Sequence, residues 1–564
     1  MPETPKRGYI SCLEFNNGET VEVRENDIVL FVGPNNAGKS QSLKDIYTLA
    51  QEKRKCTVIA DEKITMYGDS MSKFLDTIAA GEDQGKRLQY DVLGKQYNIF
   101  GNTDYLLETN KRWGDFRSLF IANIDTQARL SICLPPQSVN RDGNRTHPIH
   151  YAAFNSHYRK WLSNSFKKAF NEELIPDRLN GANVPLCIGA PVILTEDYED
   201  EQSRQEAYSS VLQTYKQVQD QGDGIKSFTG ILLYLMLDYY CTYLIDEPES
   251  FLHPPQARIM GQIIGETLSN QQQAFISTHS EDIIKGLLET CPERLKIIRI
   301  TREGDTNSFS ILGNEAFGNI WADPLLKHSN IMSSLFHRSV VLCESDSDCQ
   351  MYSIIENHVK QTEGKYSEAL FVHCGGKQRM PKIISALRSL NISIKVIPDI
   401  DVLNDENTFR AIVESCGLDW NSVETDYHCI VSNVQGAKKE INRLAAKAAI
   451  DSVFDSSKNK NLSSKEIGMI QSAIKEESKW ENIKKAGASA LPAGDATAAF
   501  GRLNHALLSG GIHIVPVGEL ECFIKEVGGH GPNWVNAVIE KYPDLNDPVF
   551  DTITSFIKSL NLMV

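Results

Sequence analysis

Two sets of residues in this chain have the types and spacing for phosphate chemistry. The first is Gly33-Pro34-Asn35-Asn36-Ala37-Gly38-Lys39-Ser40, a GxxxxGK[ST] run after the apolar stretch Ile28–Val32 and before a helical pattern. Its glycines let the backbone wrap so that N–H groups face phosphate oxygens. Lys39 neutralises those oxygens, the Ser40 hydroxyl can ligate Mg²⁺, and the following helix offers its positive end. The spacing predicts a bound nucleoside triphosphate with Mg²⁺, held by Gly33, Asn35, Asn36, Ala37, Gly38, Lys39 and Ser40.

Two more apolar runs supply the groups that hydrolysis of a triphosphate needs. Tyr243-Leu244-Ile245 ends in Asp246-Glu247, where Asp246 would hold Mg²⁺ and Glu247 would polarise the attacking water. Ala274-Phe275-Ile276-Ser277 ends in Thr278-His279-Ser280, which brings the His279 imidazole within reach of a γ-phosphate.

The second set is made of carboxylates. Ser339–Cys343 ends in Glu344-Ser345-Asp346-Ser347-Asp348, Ile394–Pro398 in Asp399-Ile400-Asp401, and Gly511–Val517 in Gly518-Glu519-Leu520-Glu521. If these runs are parallel strands, their C-terminal ends share one rim. So many carboxylates on one rim, drawn from Glu344, Asp346, Asp348, Asp399, Asp401, Glu519 and Glu521, call for hard divalent cations, Mg²⁺ or Mn²⁺.

The elements that position these groups are apolar strands alternating with helical segments, an α/β pattern in a chain of 564 residues, long enough for several domains. The expected division is residues 1–333, with a globular insertion at about 55–210, and residues 334–564, with a helical insertion at about 406–508. The interval between Lys39 and Asp246 shows no sustained heptad pattern, which argues against a coiled-coil clamp. Its basic aromatic stretch Tyr158-Arg159-Lys160-Trp161-Leu162 reads as a solvated helix face in preference to a nucleic-acid contact, and so does Lys475-Glu476-Glu477 in the later insertion. A net charge of −15 argues against a protein that coats nucleic acid. The 12 cysteines form no CxxC pair and read as reduced thiols. With no apolar run long enough for a membrane and no leader-like start, the expected location is the cytoplasm.

Asp-Glu-Pro followed by Leu252-His253-Pro254, and then Ser277-Thr278-His279-Ser280, resembles the ABC-type ATPase head of the SMC and OLD (overcoming lysogenization defect) families. The resemblance implies a signature segment before Asp246 that reaches the nucleotide of a dimer partner. Gly222-Asp223-Gly224-Ile225-Lys226-Ser227 occupies that place, with Gly224, Lys226 and Ser227 as its ATP contacts and Gly222 where a serine is usual; Gln127 is the candidate Q-loop residue. Glu344 with Ser347-Asp348, and Asp399-x-Asp401, resemble a Toprim domain, although Ser345 replaces the usual glycine; the resemblance implies Glu521 as its third acidic element, with Glu519 the alternative. Lys377 falls in a strand–Gly–Lys segment that the family also has, and is a candidate for a DNA-phosphate contact; Lys525 and Lys541 are both open for a late active-site lysine.

Together these imply an ABC-type P-loop ATPase domain followed by a Toprim, Rossmann-like domain with a helical insertion, as in OLD-family ATP-dependent nucleases, including Gabija-type and retron-associated anti-phage effectors. The implied activity is ATP-regulated, metal-dependent DNA cleavage by a homodimer or higher homo-oligomer. Glu247, His279, Glu344, Asp348, Asp399 and Asp401 would be catalytic, and Ser40, Asp246, Glu344, Asp348, Asp399, Asp401 and Glu521 metal ligands. A reverse transcriptase with its RNA–DNA product, or a helicase, would be the operon partner. The alternative is an ATP-gated nucleic-acid sensor or scaffold whose Toprim domain does not cut.

Overall fold

Ile28–Val32 (β1) is an uninterrupted apolar run, and all five of its residues are buried, as expected of a strand covered on both faces. In the computed structural model, which describes residues 4–78, 89–141, 143–194, 198–304, 306–312, 331–436, 443–456, 461–474 and 479–562, the chain divides into two compact units, Met1–Asp323 and Pro324–Val564.

The first unit is built on β1, with Ile121–Ile124 (β2), Thr242–Asp246 (β3), Gln273–Ser277 (β4), Leu295–Glu303 (β5) and Thr306–Leu312 (β6). Among the described residues they form a six-stranded sheet in the order β6-β5-β1-β4-β3-β2. Only the β5–β6 hairpin is antiparallel; every other pairing is parallel. The helices Lys39–Leu49 (α1), Thr126–Ser131 (α2), Asp223–Leu235 (α3), Pro254–Thr267 (α4) and Glu281–Thr290 (α5) connect these strands. Phe31 and Phe275 stack at 6.2 Å on one face, where Ile46, Leu49 and Phe120 complete an apolar cluster. Because the strands run parallel, the carboxyl ends of β1, β3 and β4 open on one rim.

Between α1 and α3 the chain makes short antiparallel sheets, Gln89–Val92 with Lys95–Asn98 and Glu173–Pro176 with Leu186–Gly189, and the helix Ser156–Phe170. That helix turns Leu162 and Phe166 inward and leaves Lys160 exposed.

In the second unit Ser339–Cys343 (β7) is flanked by Ala369–His373 (β8) and Ser393–Ile397 (β9), all parallel, in the order β8-β7-β9. Asp346–Thr362 (α6) and Met380–Ser389 (α7) connect them. The run Gly511–Val517 departs from the expected regular strand. It meets β9 through the single bridge Val396–Ile512 and the bonds Val396 N–H to Gly511 O (2.8 Å), His513 N–H to Val396 O (2.8 Å) and Val515 N–H to Pro398 O (3.0 Å). Beyond Val515 the chain leaves the sheet because the Pro516 carbonyl accepts from Ala488 N–H, 2.9 Å away. Helices Glu406–Ser415 (α8), Glu424–Gly436 (α9), Arg443–Asp455 (α10), Ser464–Ile474 (α11), Lys479–Ala486 (α12) and Asp495–Ser509 (α13) lie between β9 and that run. Residues 475–477 fall outside the described residues. Among the described residues no helix is long and apolar enough to cross a membrane.

Candidate active sites

The phosphate loop has the backbone its glycines permit. Gly33 (φ 141°) passes so close to β5 that a Cβ there would lie 2.0 Å from the Ile300 carbonyl oxygen, and Gly38 caps α1 at φ 101°. The loop is braced from below: Asn307 on β6 donates to the Ala37 carbonyl (2.7 Å), and Asn16 donates to Asn307 (3.1 Å). Asn35 and Asn36 are exposed at the tip, and Ser40 is half-buried at the start of α1. Lys39 is buried, and its ammonium donates to the Gly33 and Pro34 carbonyls at 2.9 and 2.6 Å. Burial lowers its pKa to about 8, against the opposing pull of Glu247, Glu249 and Asp246. Those carboxylates therefore lie at the same rim as the loop.

Asp246 and Ser277 pair across β3 and β4, and the Ser277 hydroxyl donates to the Asp246 carboxylate. Glu247 follows in the left-handed region (φ 47°), and its N–H is held by the Ser277 carbonyl at 3.0 Å. His279 Nε2 stands 3.6 Å from Glu247 Oε1. Burial and then the Lys39 charge lower the imidazole pKa, favouring the neutral ring. The expected Asp246, Glu247 and His279 thus gather beside Lys39.

Two residues of this rim escape a reading by motif. Glu249 accepts from the Thr278 hydroxyl (2.9 Å) and from the His279 N–H (2.6 Å) through one carboxylate oxygen. Arg129 on α2 is fully buried and donates to the Asp246 carbonyl at 2.5 Å. Its own carbonyl abuts Gly230 of α3, where a Cβ would lie 2.0 Å away. Arg129 lies in the same short helix as Gln127, the residue chosen from the sequence, which is exposed near the helix start. Proximity to that segment was the only sequence signal for Arg129. Glu249 was visible in Asp-Glu-Pro-Glu, but nothing in the spacing gave it a role.

Gly224, Lys226 and Ser227 lie in the first turns of α3. A Cβ on Gly224 would meet the Phe251 carbonyl at 2.6 Å, Lys226 pairs with Asp223 at 3.0 Å, and Ser227 is fully buried. The expectation that Ser227 reaches a nucleotide does not fit this placement, because its hydroxyl faces the interior of its own unit.

In the second unit the ends of β7 and β9 bring Glu344, Asp399 and Asp401 together, with one carboxylate oxygen from each inside a 4.8 Å cluster. The Asp399 N–H donates to Glu344 at 3.2 Å. Burial, then the Asp401 charge, raises the Glu344 pKa to about 7. Burial, then Glu344 and Asp348, pushes Asp399 well above the carboxylate range. Asp401 keeps one buried oxygen, Oδ1, with no hydrogen-bond partner among the described residues. A mutually repelling, all-oxygen set with an orphaned acceptor fits a hard divalent cation.

Ser345 shows why glycine is dispensable at this turn. It has ordinary extended backbone (φ −126°) and caps α6, its hydroxyl accepting from the Asp348 N–H (3.3 Å) while Asp348 accepts from the Ser345 N–H (2.8 Å). Asp348 is thus partly engaged in the cap and stands outside the three-carboxylate cluster. Glu521 is also set apart. It groups with Glu519 and His530, accepting from His530 (3.1 Å) and the Gly531 N–H (3.0 Å). The expected single rim of ligands is therefore two neighbouring groups.

Lysines link them. Lys377 reaches Asp401 Oδ2 at 3.0 Å, so in this structure it serves the carboxylate cluster. Lys484 of α12 lies 3.7 Å from Asp401 and 3.3 Å from Glu519. Of the two lysines left open from the sequence, Lys541 donates to the Glu526 carbonyl at 3.1 Å. Lys484 had no motif signal, since it comes from the mixed-charge insertion.

Each site falls in a stretch that matches a known domain family. Residues 28–284 match the family described as "AAA domain, putative AbiEii toxin, Type IV TA system", and residues 335–401 match "Overcoming lysogenization defect protein-like, TOPRIM domain". No curated protein matches the chain. Among solved structures it is similar to an Smc head bound to the C-winged helix domain of ScpA (13% identity, 54% of this chain and 99% of that one, TM-score 0.34). It is also similar to the SMC head domain from Thermotoga maritima (13% identity, 55% and 99%, TM-score 0.28). The chain thus combines a P-loop ATPase domain with an OLD-like TOPRIM domain, the pairing that matches an OLD-family ATPase–Toprim fusion.

Proposed function

We propose that this protein is an ATP-regulated, divalent-metal-dependent DNA endonuclease acting in anti-phage defence, with residues 1–333 as the ATPase and 334–564 as the nuclease. The observation that carries the reading is the convergence of Glu344, Asp399 and Asp401, with its orphaned Asp401 oxygen, in a TOPRIM domain fused to a P-loop ATPase.

In the first unit, Lys39 would exchange its loop carbonyls for phosphate oxygens. Ser40 and Asp246 would hold the Mg²⁺ that accompanies ATP, Glu247 would orient the attacking water, and His279 would face the γ-phosphate. Gly224 and Lys226 stand at the start of α3, and the resemblance to ABC-type heads gives them a role at the nucleotide of a partner in a homodimer.

In the second unit, Glu344, Asp399 and Asp401 would hold Mg²⁺ or Mn²⁺, with Asp348 and Glu521 adjoining. A cation held there supplies Lewis-acid neutralisation of a phosphodiester. Glu344, its pKa raised to about 7, is suited to take a proton from water near neutral pH. Lys377 and Lys484 supply positive charge where the negative DNA backbone would approach. A reverse transcriptase with its RNA–DNA product, or a helicase, is the partner class this reading calls for.

The test is incubation of the protein with plasmid and Mg²⁺ or Mn²⁺, with and without ATP, beside the Asp399→Ala/Asp401→Ala variant. Nicked or linear product from the wild type alone supports the reading. Equal cutting by both proteins, or none by either under every metal condition, refutes it.

A further inference from the structure

The loop Glu247–Phe251 leaves β3 through two non-glycine residues in the left-handed region, Glu247 (φ 47°) and Phe251 (φ 70°). Such conformations persist where surrounding contacts over-determine them. Here the contacts are the Ser250 N–H on the Glu247 carbonyl (3.0 Å), the Leu252 N–H on the Glu249 carbonyl (2.8 Å) and the Ser250 hydroxyl on Glu247 (3.1 Å). The bend turns Glu249 inward, toward the end of β4.

There one oxygen, Glu249 Oε1, takes both the Thr278 hydroxyl at 2.9 Å and the His279 N–H at 2.6 Å. The Thr278 hydroxyl in turn accepts from the Ser280 N–H (3.0 Å), and Ser280 caps α5 through the Asp282 N–H (3.2 Å). Glu249 Oε2 is shielded from solvent and has no hydrogen-bond partner among the described residues. The bonding of this carboxylate is therefore spent on the Thr278–Ser280 turn, whose middle residue carries the imidazole beside Glu247.

We propose that Glu249 is a positioning residue for ATP hydrolysis: by binding the His279 N–H and the Thr278 hydroxyl with one oxygen, it sets where the His279 ring meets the γ-phosphate. This rests on the reading of His279 as the γ-phosphate contact. Removing the acceptor takes away the bonds that hold the His279 N–H and the Thr278 hydroxyl in place, and the turn is then free to rotate. Glutamine keeps an acceptor oxygen of the same reach, and alanine has none.

The test is steady-state ATP hydrolysis, nucleotide binding and melting temperature for the full-length protein and for Glu249→Ala, Glu249→Gln, His279→Ala and Glu249→Ala/His279→Ala. The expected results are a fall in kcat of about tenfold or more for Glu249→Ala, an ATP Kd within about threefold of wild type, and recovery of most of kcat in Glu249→Gln. The double variant should be no slower than His279→Ala alone, because the two residues act as one unit. Fully additive losses, or a normal kcat in Glu249→Ala while His279→Ala is impaired, overturn the proposal. Wild-type hydrolysis by His279→Ala overturns the underlying reading of His279 instead. If Glu249→Ala does not fold, Glu249→Asp carries the same comparison, since it retracts the carboxylate by one methylene, and an undiminished kcat there also overturns the proposal.

Discussion

Lys484 Nζ stands 3.7 Å from Asp401 Oδ2, although one residue lies in the short 3-10 turn Ile400–Asn404 after β9 and the other belongs to a helix of the insertion. The contact is fixed by glycines. A Cβ on Gly518 would lie 1.9 Å from the Lys484 carbonyl, and one on Gly487 would lie 2.3 Å from the Pro516 carbonyl. Neither position tolerates a side chain, so the last turn of α12 is held against the segment that carries Glu519.

Lys484→Ala should slow plasmid cleavage by about tenfold or more, since it removes a preorganised positive charge beside the metal ligands. Cation binding should tighten, because an ammonium no longer competes for Asp401 and Glu519. Titration calorimetry with Mn²⁺ checks this, and weaker Mn²⁺ binding by the variant would count against the competition.

Glu344 gives a pH dependence with a definite sign. Its folded pKa of about 7 lies above the usual glutamate value, so below pH 7 a cation must displace a proton to bind. Apparent metal affinity should therefore fall as the pH drops from 8 to 6. In the metal-free protein this group's contribution to stability is fully present below the unfolded glutamate pKa and is lost as pH rises through 7. Added Mg²⁺ should accordingly raise the melting temperature more at pH 8 than at pH 6. Glu344→Gln should flatten that difference and lower the cleavage rate by about a hundredfold or more.

Much of both sites was legible because it is local in sequence. Eight consecutive residues specify the phosphate loop, and the carboxylates Asp246, Glu344, Asp399 and Asp401 each follow an apolar run whose end fixes their place on a rim. What was hidden depends on contacts between distant segments. Arg129 is defined by the Asp246 carbonyl above it and the Gly230 notch beside it, Glu249 by the turn at His279, and Lys484 by Gly487 and Gly518. The separation of Glu521 from Glu344 was also invisible, because Gly511–Val517 looks like a full strand until the bond between Pro516 and Ala488 draws it off the sheet.

Lys39→Ala should abolish ATP binding, because it removes the charge partner of the phosphates. The second unit should keep its own melting transition, since Lys39 belongs to the core of the first. Glu247→Gln should bind ATP normally yet hydrolyse it at least about a hundredfold more slowly. Equal ATP affinity in wild type and Lys39→Ala, measured by fluorescent-nucleotide titration, would remove the loop from the site.

Ser345 offers a test of the cap. Ser345→Ala should destabilise the second unit by about 1 kcal/mol and Ser345→Gly by only a few tenths. Denaturant unfolding resolves the two. If glycine were needed for backbone freedom at this position, Ser345→Gly would instead be the more stable protein.

The closely fitted pair Gly487 and Gly518 also bears on how this chain can diverge. Since the address of Lys484 is set where α12 meets Pro516–Gly518, the helices upstream of it form a closed loop whose ends are both pinned. Doubling such a loop adds only about 0.6 kcal/mol of closure entropy. The buried Phe409, Ile412 and Ile430 anchor α8 and α9, so it is the largely exposed stretch from α10 to α11 that is free to grow, shrink or acquire new recognition surfaces, while the lysine beyond it stays where it is.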